Sequence, residues 1–199
     1  MRLIPLLLLV CFGIANGETP ANWSANYTPC DRHSELLTQK HMDIGVRVAT
    51  ANPVLAEQFR RAMDSWASVL DLSWHEDDTR SCAIQVVDGS RDLFQPSSIA
   101  ARSQLPDRAD FQGWIAFNPG QKLSESDFYR ISLHEIGHVL GLQHSSDAES
   151  VMFSFDLDGQ EWLDRADLAA LAARHKLRIK ALDRPVKLAE PALPYPAGD

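Results

Sequence analysis

Three observations in this 199-residue chain predict an α+β fold. Short runs rich in alternating or β-branched residues (42–50, 83–87 and 113–118) carry the period of two that marks a strand. Between and after them, apolar residues recur three and four apart, the stripe of an amphipathic helix. The length fits one domain, and a hydrophobic content of 45% is ordinary for a globular chain.

The elements follow in chain order. Met1-Arg2 precedes the apolar run from Leu3 to Ile14, and Ala15-Asn16-Gly17 supplies small residues for cleavage. Residues 1–17 therefore read as a secretory signal, too short to span a bilayer stably, with a retained membrane anchor as the rival reading. The mature protein is expected outside the cell, or in the periplasm of a Gram-negative host, with no membrane contact once the signal is removed. Residues 18–41 form a polar N-terminal segment with two N-glycosylation acceptor patterns, at Asn22 and Asn26, relevant only in a eukaryotic host. In the first strand, 42–50, Ile44, Val46 and Val48 share one face. Asn52 then caps a helix with Pro53 at its first position, and Leu55, Phe59, Met63, Trp66 and Leu70 form its core stripe. Leu72-Ser73-Trp74 opens a second strand, and Ala83–Val87 is a third. Residues 88–112 read as loop, and Gly113–Asn118 as a fourth strand. A helix is expected from near Ser124–Ser126 to Leu142, with Phe128 and Ile131 on its core face. A last helix spans about Leu163 to Arg174, with Asp164 and Asp167 near its start, where acidic groups suit the helix dipole. From about 179 to 199 the chain carries Pro185, Pro191, Pro194 and Pro196 and reads as a loosely packed tail.

The chemistry concentrates between His134 and His144. On a helix, His134 and His138 point off one face because they are four residues apart, and Glu135 lies beside the first. Gly141 takes a positive φ without steric cost, so the chain can leave the helix and return His144 to the same point. Three imidazole ligands leave a tetrahedral position open, as in a catalytic rather than a structural zinc site. A helix with merely solvated or core histidines would leave His144 and Gly141 unexplained.

The run His134-Glu135-x-x-His138-x-x-Gly141-x-x-His144, with Met152 eight residues later, resembles the metzincin clan of zinc peptidases. Ser145 after the third histidine, Leu140–Ser145 as a whole, and Val151-Met152-Phe153 resemble its matrixin branch, the matrix metalloproteinase catalytic domains. The match is clear over about 113–155 and weaker from about 42 to 177. The resemblance implies the metzincin fold: a twisted, mostly parallel sheet of four to five strands with a long first helix, an active-site helix and a C-terminal helix. The catalytic domain is then 42–178. It also implies a zinc-dependent endopeptidase. One catalytic zinc is held by His134, His138 and His144, and Glu135 is the base that takes a proton from the attacking water and delivers it to the leaving amine. Met152 supplies the turn beneath the site. In matrixins the fourth strand is the edge along which substrate lies, so Trp114 and Ala116 are expected to offer backbone groups to a peptide. Phe153 and Phe155, after the methionine turn, are expected to wall an apolar pocket beyond the scissile bond. The rival reading is a catalytically silent secreted zinc-binding module that recognises peptides, against which the intact Glu135 argues.

Cysteines and charge add the rest. Cys11 leaves with the signal, and in an oxidising compartment Cys30 and Cys82 most simply form one disulfide across a long loop, contributing up to about 4 kcal/mol. Matrixin propeptides silence their zinc through a cysteine, but Pro29-Cys30-Asp31-Arg32 matches that motif poorly, and two free thiols are the third outcome. No histidine lies between His75 and His134, so the second, structural zinc of matrixins is not expected. Asp88, Asp92, Asp107 and Asp110 leave calcium open, although scattered aspartates are usually just solvated. A net charge of −8 argues against nucleic acid as a partner. The expected partner is a protein or peptide substrate, bound by a monomer.

Overall fold

The computed structural model describes residues 41–76, 83–95, 97–104, 113–154, 161–180 and 182–188. The strands are β1 (Met42–Ala49), β2 (Leu72–Glu76), β3 (Ala83–Asp88), β4 (Ala101–Gln104), β5 (Gly113–Phe117), β6 (Trp162–Leu163) and β7 (Val186–Lys187). The α-helices are α1 (Pro53–Val69), α2 (Glu125–Val139) and α3 (Arg165–Arg174). The first five strands make one mixed sheet in the order β2-β1-β3-β5-β4. Four of them run parallel, and β4 pairs antiparallel with β5 at the end of the sheet. This is the α+β architecture expected from the sequence.

Local chemistry accounts for the helices. Asn52 accepts hydrogen bonds from the Val54 and Leu55 amides at 3.0 and 3.2 Å, with Pro53 next to it where a missing N–H costs nothing. Ser124 and Asp127 form a reciprocal capping box at the start of α2: the Asp127 amide reaches the serine hydroxyl at 3.2 Å, and the Ser124 amide reaches the aspartate at 2.8 Å. The Ser124 hydroxyl, donating to the Asp127 carboxylate at 2.7 Å, and the Ser124 amide hold that carboxyl below its ordinary range. Asp164 and Asp167 repeat the arrangement at α3. Ile44, Val46, Ile84, Val86 and Ile115, all fully buried, form the sheet's core face, together with Leu55, Phe59, Met63 and Trp66 of α1. The Trp66 indole donates to the Leu133 carbonyl at 3.1 Å, and Ser65 and Tyr129 share a buried hydrogen bond of 2.8 Å. These two bonds fix how α2 lies against α1, and so where its histidines point.

Two expectations need correction. The strand expected at the sheet edge, β5, is interior: Trp114 pairs with Gln85 on one side and Gln104 on the other, and Ala116 with Val87 and Arg102. Neither residue has a backbone edge to offer a peptide. The edge is β4, which lies in the stretch read as loop, because four residues without alternation carry no strand signal. The tail is also ordered further than expected. Val186 and Lys187 pair with Leu163 and Trp162, and Leu188 is fully buried. Among the described residues, no helix is long and apolar enough to cross a membrane.

Candidate active site

Helix α2 ends sooner than its apolar pattern suggests, and the way it ends builds the site. Gly141 has φ 93°, the left-handed region that a side chain would strain. Its amide donates to the His138 carbonyl and the Leu142 amide to the Gly137 carbonyl, both at 2.9 Å, the bond pair of a Schellman turn. The turn throws the chain back across the end of the helix. His175 steadies it from α3's far end, its Nε2 donating to the Leu140 carbonyl at 2.8 Å.

The reversal brings three rings together. His138 Nε2 lies 3.1 Å from His134 Nε2 and 3.2 Å from His144 Nε2, and one ligand atom from each falls within 4.8 Å of the others. His134 Nδ1 is 2.8 Å from the Val151 carbonyl and His138 Nδ1 is 2.9 Å from the Leu142 carbonyl. A carbonyl only accepts, so each Nδ1 carries the proton and each Nε2 is left as a bare lone pair. Lone pairs facing one another at about 3 Å repel unless a cation lies between them. Nitrogens about 2.05 Å from a tetrahedral zinc would stand about 3.3 Å apart, close to the separations found. The donor set therefore fits zinc, and among the described residues it is the one cluster of His, Cys, Asp and Glu that could share an ion. Burial, with His134 close by, pushes the His138 imidazole down to about 3, and burial lowers His144 too. Both stay neutral, as ligands must be, across the neutral range.

Glu135 sits on the inner side of α2 and is only 3% exposed. Burial raises its carboxyl above the ordinary range, while the neighbouring His134 and hydrogen bonding from Ser103 oppose that rise. Met152 is fully buried beneath the helix, and any Cβ at Gly137 would run into its sulfur, so glycine here allows the methionine turn to approach. Ser145 and Met152 are joined by a 2.9 Å backbone bond, and Ser145 bridges to Phe153, which places half-buried Phe153 beside the third histidine. Trp114 and Ala116 are on β5, away from any free edge. Phe155, Cys30, Cys82 and residues 1–17 lie outside the described residues, as do Asp107 and Asp110. Asp88 is occupied in the chain's own turn, accepting from Thr50 and the Ala51 amide at 2.7 and 3.0 Å.

Sequence reasoning missed Ser103, Gly137 and Ser150 in this neighbourhood, and it singled out Ser145 without giving it a structural role. Ser103 donates to Glu135 Oε2 at 2.7 Å. Gly137 makes room for Met152. Ser145 donates to Asp164 at 2.6 Å and Ser150 to Asp167 at 2.7 Å, which ties the histidine loop and the methionine turn to the α3 cap. Only the Ser/Asp composition hinted at the last two.

The α3 cap carries a pH signature. Burial pushes the Asp167 carboxyl from 3.8 up to about 6, with Asp164 and Asp147 adding to the rise and the Ser150 hydroxyl opposing it. A pKa raised by folding means stability that is complete in acid, where both states are protonated, and that is lost as pH climbs through the folded value. Thermal midpoints of the wild type should therefore carry a loss between about pH 4 and pH 6 that Asp167→Asn lacks. Parallel curves for the two proteins would contradict this.

A family model described as matrixin matches residues 46–173. Over 124 residues the chain is 25% identical to Matrix metalloproteinase-A of Caenorhabditis elegans, covering 55% of this chain and 24% of that one. It is 26% identical to Matrix metalloproteinase-16 of Rattus norvegicus over 145 residues, 58% of this chain and 23% of that one. The chain thus spans about a quarter of the length of these curated relatives. Among solved structures it is similar to high choriolytic enzyme 1, a hatching enzyme zinc-protease from Oryzias latipes, with a TM-score of 0.40 and 19% identity over 56% of this chain and 52% of that one.

Proposed function

This chain belongs to the matrixin family of zinc metalloproteases, and from that premise we propose that it is a secreted endopeptidase whose water nucleophile is activated by Glu135. The observation that carries the reading is the convergence of three imidazole nitrogens, one from each histidine, beside a buried carboxylate. His134, His138 and His144 would hold the metal. When bound, zinc would supply a Lewis acid that polarises the scissile carbonyl and makes water acidic enough to be deprotonated near neutral pH.

The remaining steps fall to the chain's own groups. Glu135 takes a proton from the attacking water on a carboxylate oxygen and returns it to the nitrogen of the departing amine. Its raised pKa suits both halves, because a base that is too weakly basic neither accepts nor holds the proton. The buried floor of Met152, Val139 and Leu142 shields the ligands from water on the core side. Substrate would lie as an added strand along β4, the end of the sheet, whose Ser103 already touches Glu135. Phe153, and Phe155 beyond it, would favour an apolar side chain after the scissile bond. The secretory part of the proposal is supported by the basic start and apolar run of residues 1–17.

Digestion of denatured casein tests the whole reading. Cleavage should occur, stop on addition of a zinc chelator, and return when zinc is restored. A purified, zinc-loaded protein that leaves casein intact would favour the silent peptide-binding alternative.

A further inference from the structure

We propose that Ser103 is a positioning residue for Glu135, holding one oxygen of its carboxylate from the edge strand so that the other is presented to the reacting water. This rests on the peptidase reading above.

The contact is direct and enclosed. Ser103 Oγ is 2.7 Å from Glu135 Oε2, the serine is 2% exposed and the glutamate 3%. An ionised carboxylate only accepts, so the single hydroxyl proton of Ser103 points at Oε2. Register fixes the donor: Ser103 pairs with Ile115 of β5, whose side chain is fully buried, so the serine is locked in the sheet rather than carried on a loose loop. Glu135 is fixed at its backbone by α2 but has three side-chain torsions between Cα and its carboxylate, and an unheld glutamate would distribute over their rotamers. A donor on a separate element picks one of them. The hydroxyl holds Oε2, and the Ser103 backbone also faces the carboxylate, so this strand sets how Glu135 presents itself to the proton it takes and returns. The same strand is the sheet edge on which a peptide would be laid, so the base is aligned from the element that aligns the substrate.

A structural role alone, satisfying a buried polar group, would show in stability and not in turnover. The test compares Ser103→Ala and Ser103→Thr with the zinc-loaded wild type, reading kcat, KM, zinc content and thermal midpoint. Ser103→Ala should lower kcat about 10- to 100-fold, the effect of losing a hydrogen bond to a charged group, with KM and zinc content unchanged. Ser103→Thr, which keeps the hydroxyl, should recover most of it. In a Glu135→Ala background, Ser103→Ala should lower the residual rate no further. Wild-type kcat in Ser103→Ala, or a loss that multiplies with that of Glu135→Ala, would overturn the proposal. If the alanine variant does not fold, Ser103→Cys carries the comparison: a thiol is a weaker donor and should give an intermediate kcat, and wild-type kcat there would overturn the proposal. A wild type that cleaves nothing would instead overturn the peptidase reading.

Discussion

Glu135→Ala is expected to lower peptide hydrolysis by at least about 10²- to 10⁴-fold while leaving zinc content at the wild-type level. The two halves of that expectation come from different geometry. The three imidazoles are held by the Schellman turn and by the Val151 and Leu142 carbonyls, none of which involves Glu135. The carboxylate faces the Ser103 hydroxyl, so removing it takes away the proton acceptor without touching a ligand. Stability should respond little. A buried carboxyl whose pKa folding raises is a cost at neutral pH, and deleting it leaves only a small cavity and one orphaned hydroxyl. The variant should therefore melt no more than slightly below the wild type, and should melt above it if relief of the buried charge outweighs the cavity. Kinetics, metal analysis and thermal melts on one preparation check all three points. Turnover near wild type would remove Glu135 from its assigned role.

His138→Ala is expected to have the largest effect on the metal. Its Nε2 is the common member of both close nitrogen contacts, 3.1 and 3.2 Å, so its loss removes the centre of the donor set. Losing a partner that merely orients a ligand costs about 10- to 100-fold in metal affinity, and losing the ligand itself should exceed that. The variant also loses the bond from Nδ1 to the Leu142 carbonyl, which braces the turn leading to His144. A metal that binds only the folded state raises the midpoint of unfolding with its concentration. Added zinc should accordingly raise the midpoint of the wild type and leave that of His138→Ala nearly unmoved. Equal shifts in the two proteins would place the ion elsewhere.

The sequence disclosed the site and much of the fold because both rest on local rules. His134, His138, Gly141 and His144 announce themselves through helical spacing and through a glycine where a left-handed residue is needed. Asn52-Pro53 and the Leu55–Leu70 stripe announce α1 in the same way. What stayed hidden was non-local. β4 is four residues of Ala-Arg-Ser-Gln with no alternation, and it becomes a strand only because β5 offers it an edge. Missing β4 made β5 look terminal and sent the substrate contact to Trp114 and Ala116. Ser103 was invisible for the same reason, since nothing in residues 101–104 points to a glutamate 32 positions later. Residues 186–188 sit among prolines and charges typical of a tail, yet Leu188 fills the core and Val186 pairs with Leu163. Gly137, one of the two unspecified positions between His134 and His138, shows its purpose only against the sulfur of Met152.

X-ray absorption at the zinc edge of the purified protein tests the central claim most directly. The account predicts one zinc per chain with three imidazole nitrogens at about 2.0–2.1 Å and a light-atom ligand from solvent completing the set. A protein that takes up no zinc, or a first shell containing sulfur or fewer than three imidazoles, would contradict it.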